Sequence, residues 1–262
     1  MKELGIIGVG KMGESILRGI INKKVFKEKE IIIYDVDKEK CALLEEEDFE
    51  IAETIEEVFN EAETILLAIK PQNFTELKIK DTNKLIISIA AGISIEKLKE
   101  FFGENLYIRV MPNTGALINK AVSVIAADDN VTMKDMKIAL KIFNAIGVTY
   151  QVIEDQIDDL TPLNGSMPAY VYYFMKAFID SAVLRGIDYN LAREIVAHTL
   201  ISSANMVLEN PKTIEELIKD VCSPKGTTIA GLEVLEENEL LRIIDEASIA
   251  CSKRAKELGK GK

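Results

Sequence analysis

The apolar positions of this 262-residue chain change rhythm once, near residue 154. Before that point, short runs rich in Ile, Leu and Val alternate with stretches in which apolar residues recur every three or four positions. Residues 4–7, 31–34, 64–69, 85–89 and 106–110 read as buried parallel strands, because a strand covered on both faces is apolar at nearly every position. Residues 14–22, 38–46, 95–101 and 133–145 carry helical spacing. Such alternation predicts an α/β domain over residues 1–153, a doubly wound parallel sheet covered by helices. Residues 122–126 and 148–152 add two more strands at its far edge.

After residue 154 the strand-like runs stop. Helical patterns take over at 169–185, 189–209, 213–220, 228–236 and 239–258, punctuated by Gly186, Pro211 and Pro224. Residues 154–262 therefore read as a separate all-α domain, with 259–262 as a frayed tail. The 169–185 segment is apolar around most of its circumference, through Val171, Phe174, Met175, Phe178, Ile179, Ala182 and Val183. A helix of that kind must be buried, and a small helical domain has little interior to offer it. The expectation is a homodimer whose helices pack or swap across the interface.

Charge narrows the function. A net charge of −11 and a sequence pI near 4.9 argue against partners that need a basic surface, so nucleic acid and anionic membranes are not expected. No apolar run approaches a membrane span, and the chain enters its first strand pattern with no signal-like region before it. Cys41, Cys222 and Cys251 are odd in number and scattered. They read as reduced thiols of a cytoplasmic protein. With His198 the single histidine, a histidine triad or zinc site lacks ligands, and His198 reads as a residue that packs or hydrogen-bonds within the helical domain.

The chemistry lies at the two ends. Gly8-Val9-Gly10-Lys11-Met12-Gly13 follows a predicted strand and opens a predicted helix, and Asp35 ends the next strand 22 positions after Gly13. This is the context in which the glycine pattern signals a dinucleotide site. Gly8 permits the tight turn, Gly10 lets backbone approach the pyrophosphate, and Gly13 lets helix and strand pack closely. Asp35 would accept from a ribose 2′-hydroxyl and repel a 2′-phosphate, which leans toward NADH over NADPH. The alternative is that Asp35 or Asp37 caps the next helix. Further cofactor contacts are expected where other strands end, at Ala68, Lys70 and Pro71, at Ala90, Ala91 and Gly92, and at Asn113. Near the C-terminus, Cys222-Ser223-Pro224-Lys225-Gly226-Thr227-Thr228 is a turn tipped into a helix start, a setting suited to a small carboxylate. Helix capping is the alternative for its hydroxyl residues.

Six segments, taken in order, resemble the pyrroline-5-carboxylate reductase family. They are the Gly8 to Gly13 loop, Ala68-Ile69-Lys70-Pro71, Ser88-Ile89-Ala90-Ala91-Gly92, Arg109-Val110-Met111-Pro112-Asn113-Thr114, Gly165-Ser166-Met167-Pro168-Ala169-Tyr170, and Ser223-Pro224-Lys225-Gly226-Thr227-Thr228-Ile229. The resemblance implies a Rossmann-type N-terminal domain and a helical C-terminal dimerisation domain, in dimers that can assemble into a ring of five. It implies reduction of the C=N bond of 1-pyrroline-5-carboxylate by NADH or NADPH, giving L-proline. Ser223, Gly226, Thr227 and Thr228 would hold the substrate carboxylate, with the Thr228 hydroxyl near the ring nitrogen as the catalytic contact. The chain departs from the family pattern at Gly115, where proline is usual, at Asn164 and Met167, where serine and glycine are usual, and at Lys225, which stands in a glycine place. A related NAD(P)-dependent reductase acting on another cyclic imine or a β-hydroxy acid, and a dinucleotide sensor without turnover, are the competing readings. Against the β-hydroxy-acid chemistry, the helix opening at Pro168 has no lysine before Lys176.

Overall fold

In the computed structural model, residues 1–70, 73–74, 79 and 82–259 are described. They form two compact units, Met1–Ser166 with Cys251–Lys262, and Met167–Ala250. The first unit contains an eight-stranded sheet in the order β3-β2-β1-β4-β5-β6-β7-β8. Its strands are β1 (Lys2–Ile7), β2 (Ile31–Tyr34), β3 (Glu50–Ile51), β4 (Ala62–Leu67), β5 (Leu85–Ser88), β6 (Leu106–Met111), β7 (Ala121–Ala127) and β8 (Gly147–Gln151). Its helices are α1 (Lys11–Asn22), α2 (Lys38–Glu45), α3 (Ile55–Glu61), α4 (Ile95–Phe102), α5 (Met133–Asn144) and α6 (Glu154–Asp159).

Strands β1 to β6 are parallel, as the apolar runs predict, but β7 pairs antiparallel with β6 and β8 follows it. The doubly wound parallel sheet is therefore mixed at its far edge. The physical reason is the connection: one short 3₁₀ segment, Thr114–Ile118, separates β6 from β7, too little chain for the crossover a parallel pair needs.

The continuous apolarity of the central strands has its cause in two cores. Leu4 and Ile6 of β1, Leu66 of β4, and Leu85 and Ile87 of β5 face one way, packing with Ile16, Leu17 and Ile20 of α1 and Ile142 and Phe143 of α5. Ile7, Ile65, Leu67 and Ile86 face the other way, packing with Val58 and Phe59 of α3 and Leu98 and Phe102 of α4. Phe59 and Phe102 stack with ring centroids 5.8 Å apart. Each such side chain contributes about 1.5–3 kcal/mol by leaving water.

The expected boundary at 153/154 marks the end of the sheet, whereas the compact unit closes after Ser166. Helix α6 is the reason: Ile157 is buried against Val124 and Ala126 of β7. The end of the last helix also returns, with Lys256 pairing with Asp159 at 2.6 Å.

The second unit holds α7 (Met167–Leu184), α8 (Tyr189–Glu209), α9 (Ile214–Val221), α10 (Thr227–Glu237) and most of α11 (Leu240–Gly259). Gly186 at φ 84 closes α7, with Ile187 N–H donating to the Ala182 carbonyl at 3.1 Å. Asp188 caps α8 and Thr213 caps α9. Within the chain this unit buries only Ile179 and Ala192 among its hydrophobic side chains. His198 is exposed on α8 rather than packed. Among the described residues, no helix is long and apolar enough to cross a membrane.

Candidate active site

The parallel strands bring four loops to one edge of the sheet. Ile7 stands opposite Tyr34 and Leu67, Leu67 opposite Ser88, and Ser88 opposite Arg109. The loops after β1, β4 and β5 therefore start level with one another, and the loop after β6 starts two residues further on. Chain order reverses between β1 and β4, the switch point at which open α/β sheets bind ligands.

The glycines of the first loop have distinct physical causes. Gly8 has φ 95 and donates to the Tyr34 carbonyl at 2.8 Å, extending the ladder while the chain turns. A Cβ on Gly13 would lie 2.1 Å from the Gly8 carbonyl oxygen, so α1 can approach the strand only without a side chain there. Gly10 is the N-cap of α1, provides no side-chain cap, and faces nothing within 4 Å of a notional Cβ. An open, uncapped helix start with bare backbone fits a pyrophosphate. Helix α1 is braced from behind by Glu14 with Lys40 at 2.7 Å and by Arg18 with Glu47. Hydrogen bonding to the Arg18 guanidinium holds the Glu47 carboxyl below its usual range and raises Arg18.

Asp35 follows β2 and does not cap α2. Asp37 does, accepting from Lys40 N–H at 3.1 Å. The Asp35 Oδ2 accepts from Val9 N–H at 2.6 Å, and Oδ1 accepts from Asp37 N–H at 2.9 Å. The carboxylate thus ties the glycine loop to the end of β2, and each oxygen retains a second lone pair for a hydroxyl donor.

Of the remaining cofactor candidates, Ala68 continues β4 by donating to the Ile7 carbonyl at 2.8 Å, Lys70 is exposed, and Pro71 lies outside the described residues. Ala90 is buried and Ala91 exposed, and Gly92 has φ 74. Ala90 N–H donates to the Ser88 hydroxyl at 3.3 Å. Asn113 is a structural hub: its Oδ1 accepts from Gly115 and Val122 N–H at 3.1 and 3.2 Å, and its amide donates to the Asn164 carbonyl at 3.4 Å. Proline at 115 could not donate that bond, and any Cβ there would lie 2.5 Å from the Lys120 carbonyl oxygen. Asn164, nearly fully buried, donates to the Met111 carbonyl at 2.6 Å.

The sequence reading missed Arg109 as more than part of a motif. It is a buried cation in the middle of an apolar strand, pairing with Asp158 at 2.5 Å and Glu154 at 3.6 Å. A charged residue inside a buried run was the available signal.

In the second unit, Gly226 N–H donates to the Ser223 carbonyl at 2.9 Å, closing the turn ahead of α10. Gly226 is the N-cap of α10 and supplies no side-chain cap. Capping is therefore not what Ser223, Thr227 or Thr228 do. A Cβ on Gly226 would lie 2.3 Å from the Ser223 hydroxyl. Ser223 and Thr227 are exposed and Thr228 is half-buried. Lys225 has φ 60, the left-handed conformation that favours glycine. Cys222, at the C-cap of α9, is half-buried, and all three cysteines are free thiols. No group of three potential metal ligands occurs among the described residues.

A family model described as pyrroline-5-carboxylate reductase dimerisation matches residues 154–258, and one described as NADP oxidoreductase coenzyme F420-dependent matches residues 3–92. The pyrroline-5-carboxylate reductase of Arabidopsis thaliana is 36% identical over 98% of this chain and 95% of its own. That of Methanosarcina acetivorans is 36% identical over 99% and 98%. A crystal structure of the Plasmodium falciparum pyrroline carboxylate reductase with NADP bound superposes with a TM-score of 0.89 at 31% identity, covering 98% of each chain.

Proposed function

This chain belongs to the pyrroline-5-carboxylate reductase family, and from that premise we infer that it is an NAD(P)H-dependent imine reductase that converts 1-pyrroline-5-carboxylate to L-proline. The observation that carries the reading is the start of α10. It opens on a glycine with no side-chain cap, beside a serine and two threonines that do not cap it, so its N–H groups and hydroxyls are available to a carboxylate and an imine.

The reaction asks for orientation more than for acid–base machinery. The imine carbon is electrophilic, and the bound nicotinamide supplies the hydride. Backbone around Gly8, Gly10, Lys11, Met12 and Gly13 holds the pyrophosphate, with Ala68, Lys70, Pro71, Ala90, Ala91, Gly92 and Asn113 along the rest of the cofactor. Ser223, Gly226 and Thr227 anchor the substrate carboxylate, and the Thr228 hydroxyl hydrogen-bonds the ring nitrogen as charge changes there. Asp35 favours NADH, because its carboxylate, fixed by two backbone N–H groups, repels a 2′-phosphate and accepts from a 2′-hydroxyl.

The functional unit is a homodimer built by residues 154–262, with residues 1–153 as the dinucleotide domain. The apolar exposure of α7 and α8 supports this. The family resemblance extends it to a ring of five dimers. Free, scattered cysteines support a cytoplasmic setting.

The test is to mix purified protein with 1-pyrroline-5-carboxylate and follow the loss of NADH absorbance, then to repeat with NADPH. Rapid oxidation with formation of proline is expected, faster with NADH. Binding of cofactor without oxidation would overturn the substrate assignment. A preference for NADPH would remove Asp35 as the selector.

A further inference from the structure

The turn at residues 90–92 is one side of a ring of interactions whose other side is ionic. On one side the turn leaves β5 at Ser88, which stands opposite Arg109 in the parallel ladder. On the other it enters α4 at Ile95, whose N–H donates to Glu154 Oε1 at 2.6 Å. The same Oε1 lies 3.6 Å from Arg109 Nη1, and Arg109 Nη2 is 2.5 Å from Asp158. The ring therefore runs from Ser88 across the ladder to Arg109, through Glu154 to Ile95, and back through the turn. Inside it the turn is made of small residues, with Gly92 left-handed and Ile93 N–H closing on the Ala90 carbonyl at 3.4 Å. Such a segment has little side-chain packing of its own and takes its position from its ends.

We propose that Glu154, held by Arg109, is a positioning residue for the turn at residues 90–92, and through it for the nicotinamide cofactor. This rests on the cofactor reading given under Proposed function. The Arg109 side chain is 5% exposed, so it needs anionic partners. It has two, and they have different tasks. Asp158 balances its charge. Glu154 alone also accepts from α4, and so transmits the position of the buried guanidinium to the end of the turn. A buried cation fixes such a carboxylate more firmly than solvent would.

The test compares Glu154→Ala, Glu154→Gln and Asp158→Asn in the full-length protein. Each removes one negative charge from beside Arg109, but only Glu154→Ala removes the acceptor for Ile95 N–H. Amide hydrogen exchange at residues 89–95 is expected to accelerate by about tenfold in Glu154→Ala, the size of one charge-assisted hydrogen bond. It should stay near the wild-type rate in Asp158→Asn and fall between the two in Glu154→Gln, which keeps an acceptor for Ile95 N–H but loses the charge that Arg109 holds. The cofactor Kd, and KM for cofactor but not for the imine, should rise in Glu154→Ala by about the same factor. Equal exchange in all three variants would overturn the positioning role, whatever the cofactor does. Faster exchange in Glu154→Ala with an unchanged cofactor Kd would keep the brace and overturn its link to the cofactor. Wild-type protein that binds neither NADH nor NADPH would show instead that the underlying reading is wrong.

Discussion

Residues 1–166 bury a core on both faces of a sheet, while residues 167–250 bury only Ile179 and Ala192 within one chain. The second unit is not poor in apolar residues. Phe174, Phe178, Ile195, Ile201, Leu241 and Ile244 are among many that stand exposed on its helices. Exposed apolar surface on this scale marks an interface. The contrast teaches that the two halves become folded units by different routes. The dinucleotide half is complete in one chain, and the helical half is completed by a second copy. The proposed sites divide along the same line, with the glycine loop in the self-sufficient half and the α10 turn in the dependent one.

The sharpest way to break this comparison is to charge the exposed face of α7. Phe174 and Phe178 pack edge to face with ring centroids 4.9 Å apart and are about half exposed. The double substitution Phe174→Asp and Phe178→Asp should convert dimer to monomer by light scattering. Imine reduction should fall by more than about a hundredfold, since aromatic anchors carry most of the energy of such an interface. Cofactor binding by fluorescence titration should survive, because the unit that carries the glycine loop keeps its own core. A dimeric, active double variant would show that the helical unit does not depend on this face.

The reciprocal change is Gly13→Val. Its Cβ would have to sit 2.1 Å from the Gly8 carbonyl oxygen, so α1 must shift. Overpacking of this kind costs about 1–3 kcal/mol. Cofactor Kd should rise roughly ten- to a hundredfold, while the dimer persists in light scattering. Loss of the dimer instead would mean that the two units are not independent.

Thr228→Ala should have a smaller effect than either. Removing one hydrogen-bonding hydroxyl should lower kcat/KM by about tenfold, with cofactor Kd and dimerisation unchanged, and Thr228→Ser should recover most of the loss. Steady-state kinetics on the two variants decides it. Unchanged turnover in Thr228→Ala would remove the residue from the mechanism.

The parts legible in the sequence were those governed by local rules. Central strands announced themselves as unbroken apolar runs, and the reasons for Gly8 and Gly13 could be stated from spacing alone. What escaped depended on length or on distant partners. Strand β3 is two residues and α3 seven, too short to show a period. Helix α6, with the sequence EDQIDD, offers a single buried residue and reads as an acidic loop. The antiparallel turn into β7 follows from a connection whose geometry no hydrophobic pattern encodes. Arg109 drew attention only as one letter of a motif, because its carboxylate partners lie more than forty positions away in the chain. Asn113 is likewise a hub through Val122 and Asn164, not through its neighbours alone.

Lys225 sharpens the comparison by the smallest margin and in the less self-sufficient half. It sits in the turn ahead of α10 at φ 60, where a side chain costs about 1–2 kcal/mol relative to the right-handed region. Lys225→Gly removes that strain, but glycine also gains freedom in the unfolded chain, a loss of about 0.4–1 kcal/mol. The two terms oppose, and strain is the larger. The variant should therefore be more stable by about 0.5 kcal/mol, visible as a small rise in the thermal midpoint at fixed protein concentration. Because the dimer's midpoint depends on concentration, the comparison has to be made at several concentrations. If the lysine side chain also attracts the substrate carboxylate, KM for the imine rises in Lys225→Gly, and the rise shrinks as salt is added. A higher midpoint with an unchanged KM would assign the residue a conformational cost with no return in binding. A lower midpoint would show that the lysine makes a compensating contact in the dimer.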